Sequence, residues 1–237
     1  MQVKNILLKT LFPIKEIKYV FSEHTQDTWQ EYVRMHELSV ESFKKNLLGD
    51  WELISIMDPP QETLQHAFRY TARLTRKIHQ EHAPCRILYA DPDTLCIRPL
   101  EIFGRFSEFR LFDQMDQRTQ PISEKWDGYW CCCVRYFPEG LDNKFWHGMK
   151  RKMQKWDYGR YDYEQEMYRQ MMWEQAIDRD AWQSDIQYAW TSMGPGNHWV
   201  EPTPDNLPPH SIIHFGSSGD VKLVTGIMEQ TWKMLNG

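Results

Sequence analysis

Apolar and polar positions along the chain follow two periods, and the period changes at glycines and prolines. Val3 to Phe12 is a largely apolar run of strand length, and the shorter run Ile17 to Phe21 predicts a second strand. Asp27 with Gln30 resembles a helix-start box. Apolar residues then recur at Trp29, Val33, Val40, Phe43 and Leu47, one face of a helix that Gly49 ends. Trp51 to Met57 reads as a strand closed by Pro59 and Pro60. The next helix, from about Glu62 to His79, has Leu64, Ala67, Phe68, Leu74 and Ile78 as its buried positions, and Pro84 breaks it. Arg86 to Ala90 is a short apolar run of the kind a buried parallel strand shows. Strands alternating with helices predict an α/β fold with a mostly parallel central sheet flanked by helices.

Beyond this half, Phe106 to Phe112 and Tyr129 to Tyr136 read as strands, and Asp142 to Trp156 and Tyr163 to Ala176 as helices. Met193 to His210 carries Gly194, Gly196 and a series of prolines, which predicts a long loop of the kind that usually serves function. A strand, Ser211 to Phe215, and a helix from about Val221 to Leu235 follow. No internal repeat is visible and no linker divides the chain before residue 190, so 237 residues are expected to form a single domain.

Composition narrows the function. The net charge of −5 lacks the basic footprint of a nucleic-acid binder. The one basic run, Lys144 to Lys155, alternates with Phe145, Trp146, Met149 and Met153, which reads as the solvated face of an amphipathic helix. No apolar stretch approaches the roughly 20 residues of a membrane span, and the opening MQVKNILLKTLF lacks the form of a signal peptide. Three of the five cysteines, Cys131, Cys132 and Cys133, are adjacent. They can make neither a tidy disulfide set nor a C-x-x-C zinc site, which predicts reduced thiols and a cytoplasmic setting. Aromatic residues make up 14% of the chain; most should be core, and some suit the walls of a cleft for sugars or bases.

The chemistry concentrates in two passages. Ile87-Leu88-Tyr89-Ala90-Asp91-Pro92-Asp93-Thr94 ends a buried strand in two carboxylates one residue apart. Open α/β sheets bind ligands at the carboxyl ends of their strands, and carboxylate oxygens suit Mn²⁺ or Mg²⁺. Ile212-Ile213-His214-Phe215-Gly216-Ser217 takes a histidine out of a strand into small residues whose N–H groups suit a phosphate. A helix starting near Val221 would aim its positive end at the same anion.

These passages, with Tyr70-Thr71-Ala72-Arg73-Leu74 before them, resemble the glycogenin-like and lipopolysaccharide-galactosyltransferase-like enzymes. The resemblance implies a glycosyltransferase A-type, nucleotide-diphospho-sugar transferase fold. In it, residues 1–100 form a nucleotide-binding half ending in Asp-x-Asp, and 101–237 an acceptor half. It implies Asp91, Asp93 and His214 as ligands of Mn²⁺ or Mg²⁺, and Arg73 as a contact to the donor. Lys222 stands where the family has a diphosphate-binding lysine, and Gly216 and Ser217 would donate backbone hydrogen bonds. Glu164 and Gln165 stand nearest the family's acidic–amide pair that faces the sugar. The implied activity is transfer of a sugar from a nucleotide-sugar donor to an unidentified glycan, protein or small-molecule acceptor, with retention.

Two other readings compete. A non-catalytic binding module with this fold is compatible with Tyr129 to Cys133, which departs from the family's Asn-containing segment. An Asp-x-Asp phosphotransferase is disfavoured because Thr94 follows Asp93 directly, without the intervening glycine.

Overall fold

Strand β1 (Lys4–Thr10) carries Ile6, Leu7 and Leu8 with no exposed surface, as expected of a strand covered on both faces. It lies between β2 (Glu52–Ile56) and β3 (Cys85–Ala90), parallel to both, with Leu7 opposite Leu53 and Leu88. The sheet continues through β7 (Trp130–Phe137) to β5 (Arg110–Asp113), each step antiparallel, giving the order β2-β1-β3-β7-β5. The structure is a computed structural model. It describes residues 2–14, 26–113, 115–116, 130–155, 167–168, 170–171, 174, 186–189, 202–215 and 221–237.

The pleat sends alternate residues of β1 and β3 to opposite layers. Ile6, Leu8, Ile87 and Tyr89 join α2 (Leu64–Glu81) and α3 (Asn143–Gln154), where Ala72, Ile78, Trp146, Met149 and Met153 pack. Leu7, Leu88 and Ala90 face the other way, onto Phe43 and Leu47 from the region of α1 (Gln26–Asn46). Both inner helices start at side-chain caps: Thr63 accepts from the His66 N–H, and Asp142 from the Phe145 N–H at 2.8 Å. Past the end of α1, Gly49 adopts φ +88°, a conformation that costs glycine little.

A second sheet has the order β4-β9-β8-β6, built from β4 (Thr94–Cys96), β6 (Met115–Asp116), β8 (Gln187–Ala189) and β9 (Ile212–His214). Only three residues separate β3 from β4, so the Asp-x-Asp turn is the hinge between the two sheets. Helix α4 (Val221–Asn236) packs on α1, its Val224, Ile227 and Met228 meeting Met35.

The mixed α/β architecture with a mostly parallel central sheet flanked by helices agrees with the sequence reading, and the differences are local. The strand expected over Phe106 to Phe112 begins only at Arg110, because Phe106 instead packs its ring against Phe112 and Tyr136. Strands β4 and β8 have three residues each, too short to show a period. Ile17 to Phe21 lies outside the described residues. Of the helix expected over Tyr163 to Ala176, Met167, Tyr168, Gln170, Met171 and Glu174 are described; the first four are helical and Glu174 lies in a turn. The described part of the Met193 to His210 loop, residues 202–210, contains no strand or helix. Cys85, Cys96 and Cys133 are free, buried thiols, as expected. No described helix is long and apolar enough to cross a membrane.

Candidate active site

Asp91 leaves β3 at the carboxyl edge of the main sheet, and its N–H still donates to the Cys133 carbonyl of β7 at 2.8 Å. Its side chain is held by the strand it has just left. The Tyr89 hydroxyl donates to Asp91 Oδ1 at 2.6 Å, and the same hydroxyl meets Thr10 Oγ1 at 3.1 Å. Thr10 in turn meets Thr71 of α2 at 3.2 Å. Arg135, opposite Tyr89 across the β3–β7 ladder, lies over the Tyr89 ring at 3.9 Å and brings its Nη2 to 3.7 Å from Asp91 Oδ1. The Arg135 side chain is almost wholly buried, so its charge acts in a medium that screens it poorly.

The second sheet delivers the other side of the site. Register pairs Thr94 with His214, and the Phe215 N–H donates to the Asp93 carbonyl at 2.8 Å. This ladder sets His214 Nε2 3.3 Å from Asp93 Oδ2, with both side chains largely buried. The same nitrogen lies 3.2 Å from Cys133 Sγ. The imidazole of β9 thus meets a carboxylate from the turn and a thiol from β7.

Beneath the turn lies a group that the sequence reading missed. Lys9, at the end of β1, has no exposed surface. Its Nζ donates to Ser39 Oγ at 2.5 Å, to the Asp91 carbonyl at 3.2 Å and to Thr94 Oγ1 at 3.2 Å, and lies 4.4 Å above the Phe43 ring. Thr94 Oγ1 donates to the same Asp91 carbonyl at 2.6 Å, and Ser39 Oγ donates to the Thr94 carbonyl at 2.5 Å. Burial pushes the Lys9 pKa down to about 7, against the pull of the Asp91 and then the Asp93 carboxylate. A lysine at the edge of an apolar run looks like a solvated strand end, and only the hydroxyls and the turn carbonyl it meets give it a buried role.

The residue types suit a divalent cation in part. Neighbouring ligands of an octahedral ion bound at about 2.1 Å sit about 3.0 Å apart, close to the separation of Asp93 Oδ2 and His214 Nε2. Asp91 is adjacent, but its Oδ1 is engaged by Tyr89 and faced by Arg135. Among the described residues no three His, Cys, Asp or Glu side chains are preassembled around one ion position.

Of the other expected site residues, two are described. Arg73 is exposed on the outer face of α2, where it lines a groove against α3. Lys222 is exposed in the first turn of α4. Glu164, Gln165, Gly216 and Ser217 lie outside the described residues.

Together the two sheets, their helices and the Asp-x-Asp hinge form a fold of the glycosyltransferase A type. The chain is similar to the crystal structure of a glycosyltransferase involved in the glycosylation of the major capsid of PBCV-1. The TM-score is 0.55 and the identity 12%, over 96% of this chain and 99% of that one. It also aligns with the apo-form glycosyltransferase GlyE of Streptococcus pneumoniae TIGR4, at TM-score 0.48 and 12% identity, over 99% of this chain and 63% of the other. At these identities the likeness is one of fold. No protein-family model matches the chain, and no curated protein matches it in sequence.

Proposed function

We propose that this chain is a glycosyltransferase that takes its sugar from a nucleotide-diphosphate donor at the seam between the two sheets. Asp93 and His214 would hold Mn²⁺ or Mg²⁺, with Asp91 beside them. The observation that carries this reading is the 3.3 Å approach of His214 Nε2 to Asp93 Oδ2, two side chains distant in sequence that the β4–β9 ladder brings together. The shared fold supports it.

In the transfer, an acceptor hydroxyl oxygen bonds to the anomeric carbon as the bond from that carbon to the diphosphate oxygen breaks. The hydroxyl proton passes to the departing diphosphate oxygen, and the nucleoside diphosphate leaves. When bound, the ion supplies positive charge at the diphosphate, where negative charge grows. The chain's own residues do the rest. Tyr89 and Arg135 fix the direction in which Asp91 points. Lys9, Ser39 and Thr94 tie down the backbone of the turn from below, so that Asp93 keeps its orientation when solvent is displaced. His214 must present the Nε2 lone pair to a cation, which requires the proton on Nδ1; without a cation, Nε2–H can instead donate to Asp93. Retention of the anomeric configuration is the expected outcome, and product stereochemistry tests it.

A second reading, binding without turnover, is favoured by one observation: Asp91 Oδ1 is already satisfied by a tyrosine and faced by a buried arginine.

Thermal melting with Mn²⁺ and a panel of nucleoside diphosphates tests the site, since a ligand of the folded state alone raises the melting temperature by mass action. Mn²⁺ plus the matching nucleotide is expected to raise the Tm of the native chain by several degrees, and Asp93→Ala to abolish that rise. An equal rise in Asp93→Ala removes this site from consideration. Stabilisation without sugar release or transfer across an acceptor screen selects the second reading.

A further inference from the structure

Helices α2 and α3 enclose a groove of about 430 Å³ on the face of the main sheet away from α1. Arg69, Arg73, Arg76 and Lys77 line it from α2, and Lys150 faces them from α3. The α2 residues follow helical spacing, so their charges share one face and extend about 12 Å along it. Among the described residues Glu81 supplies the groove's one carboxylate, and it pairs with Lys77 at 3.8 Å. Arg73, Arg76 and Lys150 have no hydrogen-bond or ion-pair partner among the described residues. Three uncompensated cations in one concavity stand out on a chain whose net charge is −5. The basic run Lys144 to Lys155, read from sequence as a solvated face, thus contributes one wall of a charged groove.

From this groove we infer a binding site for an acidic glycan, and, on the glycosyl-transfer reading above, for the acceptor. Guanidinium forks match carboxylate, sulfate and phosphate oxygens in pairs, and their spread along the helix fits anionic groups repeated along an oligomer rather than one small ion. Between the cations, Gln80 and Gln154 offer amides that can donate to and accept from sugar hydroxyls. Among the described residues no aromatic ring lines the groove, so stacked bases find no platform on them, and its concavity does not suit the flat face of a bilayer. The helix that lines the groove also contributes Thr71 to the network at the proposed reaction centre. Arg69 and Arg73 flank Thr71, whose hydroxyl meets Thr10 in the network that reaches Asp91 through Tyr89.

The test is calorimetric titration of the full chain with a size-defined sulfated hexasaccharide at two salt concentrations. Parallel arms use a neutral malto-hexasaccharide, inorganic phosphate, a single-stranded DNA 12-mer and vesicles containing phosphatidylserine. The sulfated sugar is expected to bind with an affinity that falls as salt rises. Arg76→Gln combined with Lys150→Gln should weaken it about 10-fold, with unchanged melting temperature and an unchanged response to Mn²⁺ and nucleotide. Undiminished affinity in the double variant overturns the site, and so does equal or tighter binding of the neutral sugar, the DNA or the vesicles. If the native chain binds the sulfated sugar in the groove but shows no Mn²⁺–nucleotide response, the acceptor role falls with the transfer reading, and the groove stands as a glycan site alone.

Discussion

Lys9 is the residue on which the geometry of the Asp-x-Asp turn most depends, because a single ammonium ties β1, α1 and the turn together. Lys9→Met keeps most of the volume and removes the charge. Its partners are two hydroxyls and a carbonyl that also bond one another, so the loss of stability should stay within about 2 kcal/mol. The loosened turn should bind Mn²⁺ and nucleotide roughly 10-fold more weakly, a difference of about 1.4 kcal/mol that titration of the folded variant reads directly. His36, buried in α1 with its Nε2 2.8 Å from Ser55 Oγ, gives a pH signature. Burial, and then the Lys9 charge, push its pKa from the ordinary 6.5 down to about 4. Below pH 6.5 the unfolded chain therefore takes up a proton that the folded chain refuses. Stability from this group is complete above pH 6.5 and falls as pH drops toward 4, by on the order of 2–3 kcal/mol. Urea unfolding at pH 7 and pH 4.5 should show a smaller loss in His36→Gln than in the native chain. At this scale Asp91, Asp93 and His214 were singled out from the sequence, and the structure sets His214 beside Asp93. Lys9, Tyr89, Arg135 and Cys133 stayed hidden, because their roles depend on cross-strand register, which no local pattern encodes.

At the level of elements, the long amphipathic helices were legible and the shortest strands were not. Helix α2 buries Ala67, Thr71, Ala72, Thr75, Ile78 and His79; of the expected positions Ala67 and Ile78 are buried, whereas Leu64, Phe68 and Leu74 are only partly so, and two threonines take the inner face instead. The Thr75 hydroxyl explains the tolerance, since it donates to the Thr71 carbonyl at 2.9 Å. Strands β4 and β9 exist because they pair with each other and cover α1 and α4, a tertiary cause invisible in three residues. Helix α3 offers a clean measurement. Asp142 caps it, and Asp142→Ala should cost about 1 kcal/mol in urea unfolding while leaving nucleotide binding unchanged, because the cap lies in the α2–α3 layer. A loss far above that would mean that Asp142 does more than cap the helix.

For the molecule as a whole, the decisive arrangement is that one turn belongs to both sheets. Asp91 is bonded to β7 of the main sheet, and Asp93 to the residue that follows β9 of the second. A ligand held by both aspartates and His214 therefore clamps the sheets together, and protection should rise on both sides at once. Hydrogen exchange at the Asp91 and Phe215 amides is expected to slow in parallel on adding Mn²⁺ and nucleotide, as local opening becomes linked to ligand release. Slowing at Asp91 alone would show that the second sheet takes no part in binding. The alternation of strands and helices made the main sheet readable from sequence, whereas the second sheet assembles from widely separated short segments that carry no common pattern.

The late position of β9 has a consequence for how the protein matures on the ribosome. A growing chain acquires both carboxylates, the lysine beneath them and Arg135 well before the imidazole is synthesised. Until Ile212 to His214 emerge and pair with Thr94 to Cys96, the nascent protein lacks the imidazole that meets Asp93. On the proposed reading, a chain terminated before that strand is expected not to retain nucleotide.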